Sequence, residues 1–217
     1  MPRKGSLLRE LPILVIVALA VSLVIKTFLV QFFYIPSGSM ENTLQINDRV
    51  AVNKVPFIGK SIGRGDVVVF RDPDNWLPEP YAIDGNKYLA KVKEGFVAVG
   101  VLPNPAKQYL VKRVIGVAGD KVECCSKGKK LMINGVEIKE PYIFSGNSAS
   151  DTNFNVTVPE GKIWVMGDHR GSSADSRYHQ DDVNNGFVPV SKITGQVFAT
   201  IWPIKSVGLV PGQNPIK

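Results

Sequence analysis

The chain has 217 residues, 26 Lys and Arg against 19 Asp and Glu, and a net charge of +7. That length holds one domain with its own core, and a small appendage, once any anchor is subtracted. The positive balance suits contact with an anionic surface. With no zinc-knuckle spacing, basic helix or aromatic-rich RNA motif, that surface reads as lipid headgroups and not nucleic acid.

Residues 1–10 set Arg3, Lys4 and Arg9 against one acid, Glu10. Leu11–Ile25 is apolar apart from Pro12 and Ser22; Lys26 interrupts, and the run resumes through Phe28, Leu29 and Val30. Leu11–Val30 is 20 residues, the length of helix a bilayer core requires. Lys26, near one end, can snorkel to the headgroups. Ala18-Leu19-Ala20 resembles a secretory cleavage site, but it lies inside the run and not after it, so 11–30 is expected to be a retained transmembrane anchor. The preceding cations place residues 1–10 in the cytoplasm and 31–217 outside.

The run ends at Ile35-Pro-Ser-Gly-Ser-Met-Glu-Asn-Thr-Leu44. Ser37 and Ser39 flank Gly38 behind Pro36. Proline fixes φ, and glycine permits a sharp corner and close approach. A hydroxyl on such a corner can act as a nucleophile, with the second donating to an oxyanion. The plain alternative is a turn with capping serines.

From there the pattern changes to short runs of period two. Strands are expected at Arg49–Val55, Asp66–Phe70, Phe96–Leu102, Tyr109–Val117, Val156–Val158, Lys162–Met166 and, as the last, Gln196–Trp202. Turns are expected at Phe57-Ile58-Gly59, Gly63-Arg64-Gly65 and Gly119-Asp120. Asp72–Asn86 reads as a loop in which Trp76 and Leu77 are exposed, for membrane contact or loop packing. Lys130–Ile133 and Val136–Ile138 flank Asn134-Gly135, the signature of a type I′ hairpin. Phe144–Asn155 and Gly167–Tyr178 read as polar loops. The adjacent pair Cys124 and Cys125 reads as two packed thiols, with a strained vicinal disulfide as the alternative in an extracytoplasmic domain. The fold class is therefore mainly β, behind one N-terminal helix.

Lys112 lies in the otherwise apolar run Tyr109–Ile115, beside Arg113. Strand alternation sends the two cations to opposite faces, so one must point inward unless the strand is an edge. A desolvated lysine has its pKa depressed by up to several units and, once neutral, can take a serine proton. A snorkelling lysine on an edge strand is the ordinary alternative. Gly167–Arg177 then gathers acids, hydroxyls and two arginines in one loop, able to orient a base and to brace itself through an Asp–Arg pair.

Four stretches, in this order behind the apolar span, resemble the bacterial type I signal peptidases, membrane-bound serine proteases with a Ser–Lys dyad. They are Pro36–Met40 with Thr43-Leu44, Gly65–Phe70, Tyr109–Val122 and Gly167–Arg177. The resemblance implies an antiparallel β catalytic domain, with residues 121–160 as a small inserted hairpin subdomain. It implies Ser39 as nucleophile and Lys112 as general base, with the Ser37 hydroxyl and Ser39 N–H as oxyanion hole. Ser173 would orient the lysine, Asp175 and Arg177 would brace the site, and Ile35, Pro36, Met40, Leu44, Leu110 and Val111 would line shallow pockets. Such enzymes cut after an Ala-x-Ala-like motif in exported preproteins at the bacterial cytoplasmic membrane, without a cofactor or metal.

The sequence departs from the family at His169, where Asn is common, and at Leu110, where an aromatic residue is common. Tyr109, one position away, is expected to face elsewhere. Two rival readings remain. One is a Ser–His–Asp hydrolase using His169 or His179 with Asp168, Asp175, Asp181 or Asp182, although no G-x-S-x-G elbow is present. The other is a membrane-anchored, non-catalytic β binding module, which requires Ser39 and Lys112 to lie far apart.

Overall fold

A computed structural model describes residues 7–54, 62–78, 108–210 and 212. The turn expected at Phe57-Ile58-Gly59, the strand expected at Phe96–Leu102 and the later part of the 72–86 loop lie outside these residues. Helix α1 runs over Leu7–Phe28, and its side chains are described from Glu10 to Val21. Among the described residues no helix is long and apolar enough to cross a membrane. The expected helical span 11–30 is also two residues too long at its end. Leu29 is a turn, and Val30 opens strand β1 (Val30–Tyr34).

The main sheet adds β2 (Arg49–Asn53), β3 (Val67–Arg71), β4 (Tyr109–Gly116), β9 (Lys162–Met166), β10 (Val188–Pro189), β11 (Ile193–Trp202) and β12 (Gly208–Leu209). Its order is β1-β2-β11-β3-β4-β9-β10, with β12 against β11, and every pairing is antiparallel. β11 is not the last strand, since β12 returns along it. In β3 the four residues Val67–Phe70 are all buried, because the sheet is covered on both faces. Val67 and Val69 join one apolar cluster with Val50, Val52 and Leu44. Val68 and Phe70 join another with Leu110, Val114 and Trp76. Trp76 is thus core, stacked on the His179 ring at 4.3 Å, and Leu77 packs beside it. The expectation of exposure fails because the loop turns inward: the Asp72 carboxylate accepts from the Trp76 and Leu77 N–H groups, both at 2.8 Å.

A second sheet contains β5 (Lys121–Cys124), β6 (Met132–Ile133), β7 (Val136–Glu137) and β8 (Phe154–Thr157), in the order β7-β6-β5-β8. It is a four-stranded layer and not a lone hairpin. Asn134 and Gly135, at φ 51 and 79, make its tight turn, as type I′ geometry requires. Cys124 and Cys125 are joined to each other, in place of the packed thiols expected. The buried side chains of this sheet share a cluster with Trp164, Met166 and Phe187, which ties it to the main sheet through β9.

Candidate active site

The segment after β1 continues the ladder for one residue: Ile35 N donates to Asp48 O, and Asn47 N to Ile35 O, each at 2.9 Å. Two tight turns follow, with Glu41 N on Gly38 O at 3.0 Å and Leu44 N on Met40 O at 2.8 Å. Met40 and Leu44 are fully buried in the cluster with Phe33, Val50 and Val67. They fix the turn from beneath, leaving Ser37 exposed and Ser39 9% exposed. The sharp corner is not at Gly38. The left-handed residue of the turn is Asn42, at φ 85, a conformation asparagine tolerates. Its side-chain amide donates to the carbonyls of Tyr142 and Ile143, at 3.1 and 3.3 Å.

Across from the turn, Lys112 Nζ lies 2.7 Å from Ser39 Oγ. β4 is an interior strand between β3 and β9, so both of its cations are buried, Lys112 at 4% exposure and Arg113 at 1%. Alternation required one of them to point inward, and the interior position of β4 buries both. Their environments differ. Arg113 makes two hydrogen bonds to Asp168, at 2.8 and 2.7 Å, with Thr43 Oγ1 at 3.0 Å and the Gly65 carbonyl at 2.7 Å. Its guanidinium also stands 4.0 Å above the Tyr142 ring. Lys112 has a hydroxyl as its partner. Desolvation therefore dominates and lowers its pKa from 10.5 to about 8, against the opposing pull of Asp175 and, more weakly, Asp168; Arg177 adds to the lowering. Ser37 Oγ and Ser39 Oγ are 3.5 Å apart.

The loop after β9 packs onto the turn through its backbone. His169 N donates to Ser39 O at 3.1 Å. Gly167 permits this approach: a Cβ there would stand 2.5 Å from the Ser39 carbonyl oxygen and would also collide with Ser173. Ser173 Oγ donates to Asp175 Oδ2 at 2.8 Å. Asp175, with an inaccessible side chain, also accepts from Gly167 N at 2.9 Å and from Arg177 Nε and Nη2 at 2.8 and 2.9 Å. Arg177 in turn donates to the Arg170 carbonyl at 2.8 Å.

Of the other residues singled out in the sequence, Ile35 and Val111 pack in the cluster beneath the turn, while Pro36 is exposed. Leu110 belongs to the cluster that contains Phe70 and Trp76. Tyr109, expected to face elsewhere, packs with Val111 beneath the turn, its ring 5.1 Å from that of Phe33. His169 Nδ1 is 2.9 Å from Glu41, and His179 Nδ1 is 2.8 Å from Asp182. Neither ring forms a hydrogen bond to either serine of the turn. Among the described residues no group of three or more His, Cys, Asp or Glu side chains is placed to hold a metal ion.

Sequence reasoning missed the buried pairs Arg113–Asp168 and Arg170–Glu140, the latter at 2.5 Å. An arginine inside an apolar strand demands a buried acid, a signal that was present, but spacing alone does not say which acid.

The family described as signal peptidase, peptidase S26, matches residues 8–202. A probable signal peptidase I of Mycobacterium leprae (strain TN) is 38% identical, over 98% of this chain and 82% of the relative. A signal peptidase I of Mycobacterium tuberculosis (strain CDC 1551 / Oshkosh) is 37% identical, over 99% and 79%. The crystal structure of a signal peptidase I from Enterococcus faecalis V583 aligns at 26% identity and a TM-score of 0.38, over 63% of this chain and 97% of that one. The non-catalytic alternative loses its premise, since Ser39 and Lys112 are in contact. The chain belongs to the signal peptidase family, peptidase S26, and is a serine endopeptidase of the signal peptidase I type.

Proposed function

We propose that this enzyme removes signal peptides from exported preproteins with Ser39 as nucleophile and Lys112 as general base. The observation that carries the reading is the 2.7 Å contact between Lys112 Nζ and Ser39 Oγ, made by a lysine whose burial lowers its pKa to about 8. The neutral amine takes the Ser39 proton as Oγ attacks the scissile carbonyl carbon. Negative charge then develops on the carbonyl oxygen. The Ser37 hydroxyl and the Ser39 N–H are the donors for it, on one turn held from beneath by Met40 and Leu44. The ammonium returns its proton to the leaving amine, and the mature chain departs. Water, deprotonated by the same amine, then hydrolyses the acyl-enzyme. Ser173 acts through Asp175, and the Asp175–Arg177 pair holds the Gly167 loop against the nucleophile. Ile35, Pro36 and Val111 adjoin the turn where small residues of an Ala-x-Ala-like motif would lie.

We further infer that α1 is a single-pass anchor, with residues 1–10 cytoplasmic and the β domain outside. A 22-residue helix is about 33 Å long. Leu11, Ile13, Leu14, Ile16 and Leu19 on it are all more than half exposed, so its described turns are apolar all round with no core over them. At the α1 end of the main sheet, Phe32, Tyr34, Trp202 and Leu209 are 50–81% exposed. Cross-strand register puts them on one face: Phe32 opposite Ala51, Ala51 opposite Ala199 and Ala199 opposite Leu209, with Tyr34 and Trp202 both opposite Arg49. Apolar side chains exposed together suit a lipid surface.

The test is cleavage of a preprotein bearing an Ala-x-Ala site by the purified full chain in detergent, with the cut mapped by mass. Wild type should cut after the final Ala. Ser39→Ala and Lys112→Met should each lose the activity while unfolding as one folded species. Cleavage retained in Lys112→Met would overturn the dyad.

A further inference from the structure

Glu41 and His169 lie 128 positions apart in the chain, and the dyad chemistry uses neither. Four contacts hold them over the Ser37–Ser39 turn. His169 Nδ1 is 2.9 Å from Glu41 Oε2. The Glu41 carboxylate rests on Gly38, where an added Cβ would stand 2.9 Å from Glu41 Cδ. The His169 ring is stacked face to face on Phe144, with centroids 4.1 Å apart and planes 16° from parallel, so its orientation is set from behind. The backbone of the same histidine donates to the Ser39 carbonyl. The residue between the two serine hydroxyls is therefore covered by a carboxylate whose position depends on one imidazole N–H.

We propose that the Glu41–His169 pair is a positioning clamp for the Ser37–Ser39 turn. The carboxylate selects the tautomer that carries hydrogen on Nδ1. The bond closes a loop from turn to carboxylate to ring to Ser39 carbonyl and back to the turn. That limits rocking of the turn, which sets Ser39 Oγ against Lys112 Nζ and Ser37 Oγ against the developing oxyanion. Both alignments matter most in the transition state, so loosening the clamp lowers kcat and leaves KM nearly unchanged. Both side chains are partly solvated, at 17% and 26% exposure, and such a pair contributes little to global stability. Position, and not folding, is what it controls.

The proposal rests on Ser39 as nucleophile, and the experiment separates the two. Steady-state cleavage of a preprotein is measured for wild type, Ser39→Ala, Glu41→Gln, Glu41→Leu, Glu41→Ala, His169→Ala and Glu41→Ala/His169→Ala, with thermal unfolding of each. Glu41→Leu keeps length and contact with Gly38 but has no acceptor, whereas Glu41→Gln keeps an acceptor oxygen. The expected result is a roughly tenfold fall in kcat for Glu41→Leu, Glu41→Ala and His169→Ala, with KM within about twofold. Glu41→Gln should recover most of the loss, and the double variant should be no worse than either single one, because both remove the same bond. Wild-type kcat in Glu41→Leu, or additive losses in the double variant, would overturn the clamp. Cleavage by Ser39→Ala would overturn the nucleophile assignment instead.

Discussion

Lys112 and Arg113 are neighbouring cations with different electrostatic fates. Arg113 is matched by the Asp168 carboxylate in a bidentate pair, whereas Lys112 meets a serine hydroxyl. For the lysine this makes protonation the costly state. The unfolded chain holds its proton up to about pH 10.5 and the folded chain only to about pH 8. Folding therefore releases a proton between those values, and the Lys112 contribution to stability rises with pH across that window. Below pH 8 the burial cost is present in full. Two outcomes follow. The kcat/KM of cleavage should climb to half its plateau near pH 8. The stability of wild type relative to Lys112→Met should increase from pH 7.5 to pH 10, by roughly 1–3 kcal/mol, as read by denaturant unfolding at each pH. A pH-independent difference would mean that Lys112 is ionised in the fold.

At the scale of the element, the Ser37–Ser39 turn depends on a loop 128 residues downstream. Gly167 is the point of closest approach, with Ser39 O on one side and Ser173 on the other. Gly167→Ala must move backbone and not merely the tip of a flexible side chain. It should lower kcat at least 100-fold and cost about 1–3 kcal/mol of stability, checked by single-turnover cleavage and by thermal unfolding. Legibility in the sequence divides at this scale. The strands around Arg49, Val67, Tyr109 and Lys162 were readable because each is a short apolar run between turn residues, and the Asn134-Gly135 turn because left-handed φ narrows the residue choice. β1 was not, because Val30–Tyr34 continues the apolar composition of the preceding helix, and no periodicity marks where helix yields to strand. Ser39 and Lys112 were legible as residue types in unusual settings. That Asn42 makes the corner, and that Asp168 is the partner of Arg113, depends on how distant segments pack, which spacing along the chain does not encode.

For the whole molecule, the apolar residues of the β1–β12 face test the proposal that the domain lies against a bilayer. The chain has three tryptophans. Trp76 and Trp164 are buried in the core at 7% and 0% exposure, while Trp202 is 51% exposed on the same sheet face as Tyr34 and Leu209. Fluorescence of the full chain in vesicles containing brominated lipid should be quenched through Trp202 alone, and Trp202→Phe should remove the quenchable fraction. Equal quenching in Trp202→Phe would place that face away from lipid.

The junction of α1 and β1 has a further consequence. Helix ends at Phe28, strand begins at Val30, and the single residue between them has its carbonyl bonded to Lys54 N at 2.9 Å. No slack separates α1 from the sheet edge, and β1 then covers a fixed distance of roughly 17 Å before the Ser37–Ser39 turn. On the proposed anchoring, Ser39 stands at a set height above the membrane, so the enzyme is a gauge as well as a reader of residues. A substrate bond is cut only if it lies at the same height above its own helix. Inserting Gly-Ser-Gly-Ser after Leu29 should leave hydrolysis of a short soluble peptide near wild type while preprotein cleavage falls, because the two heights no longer agree.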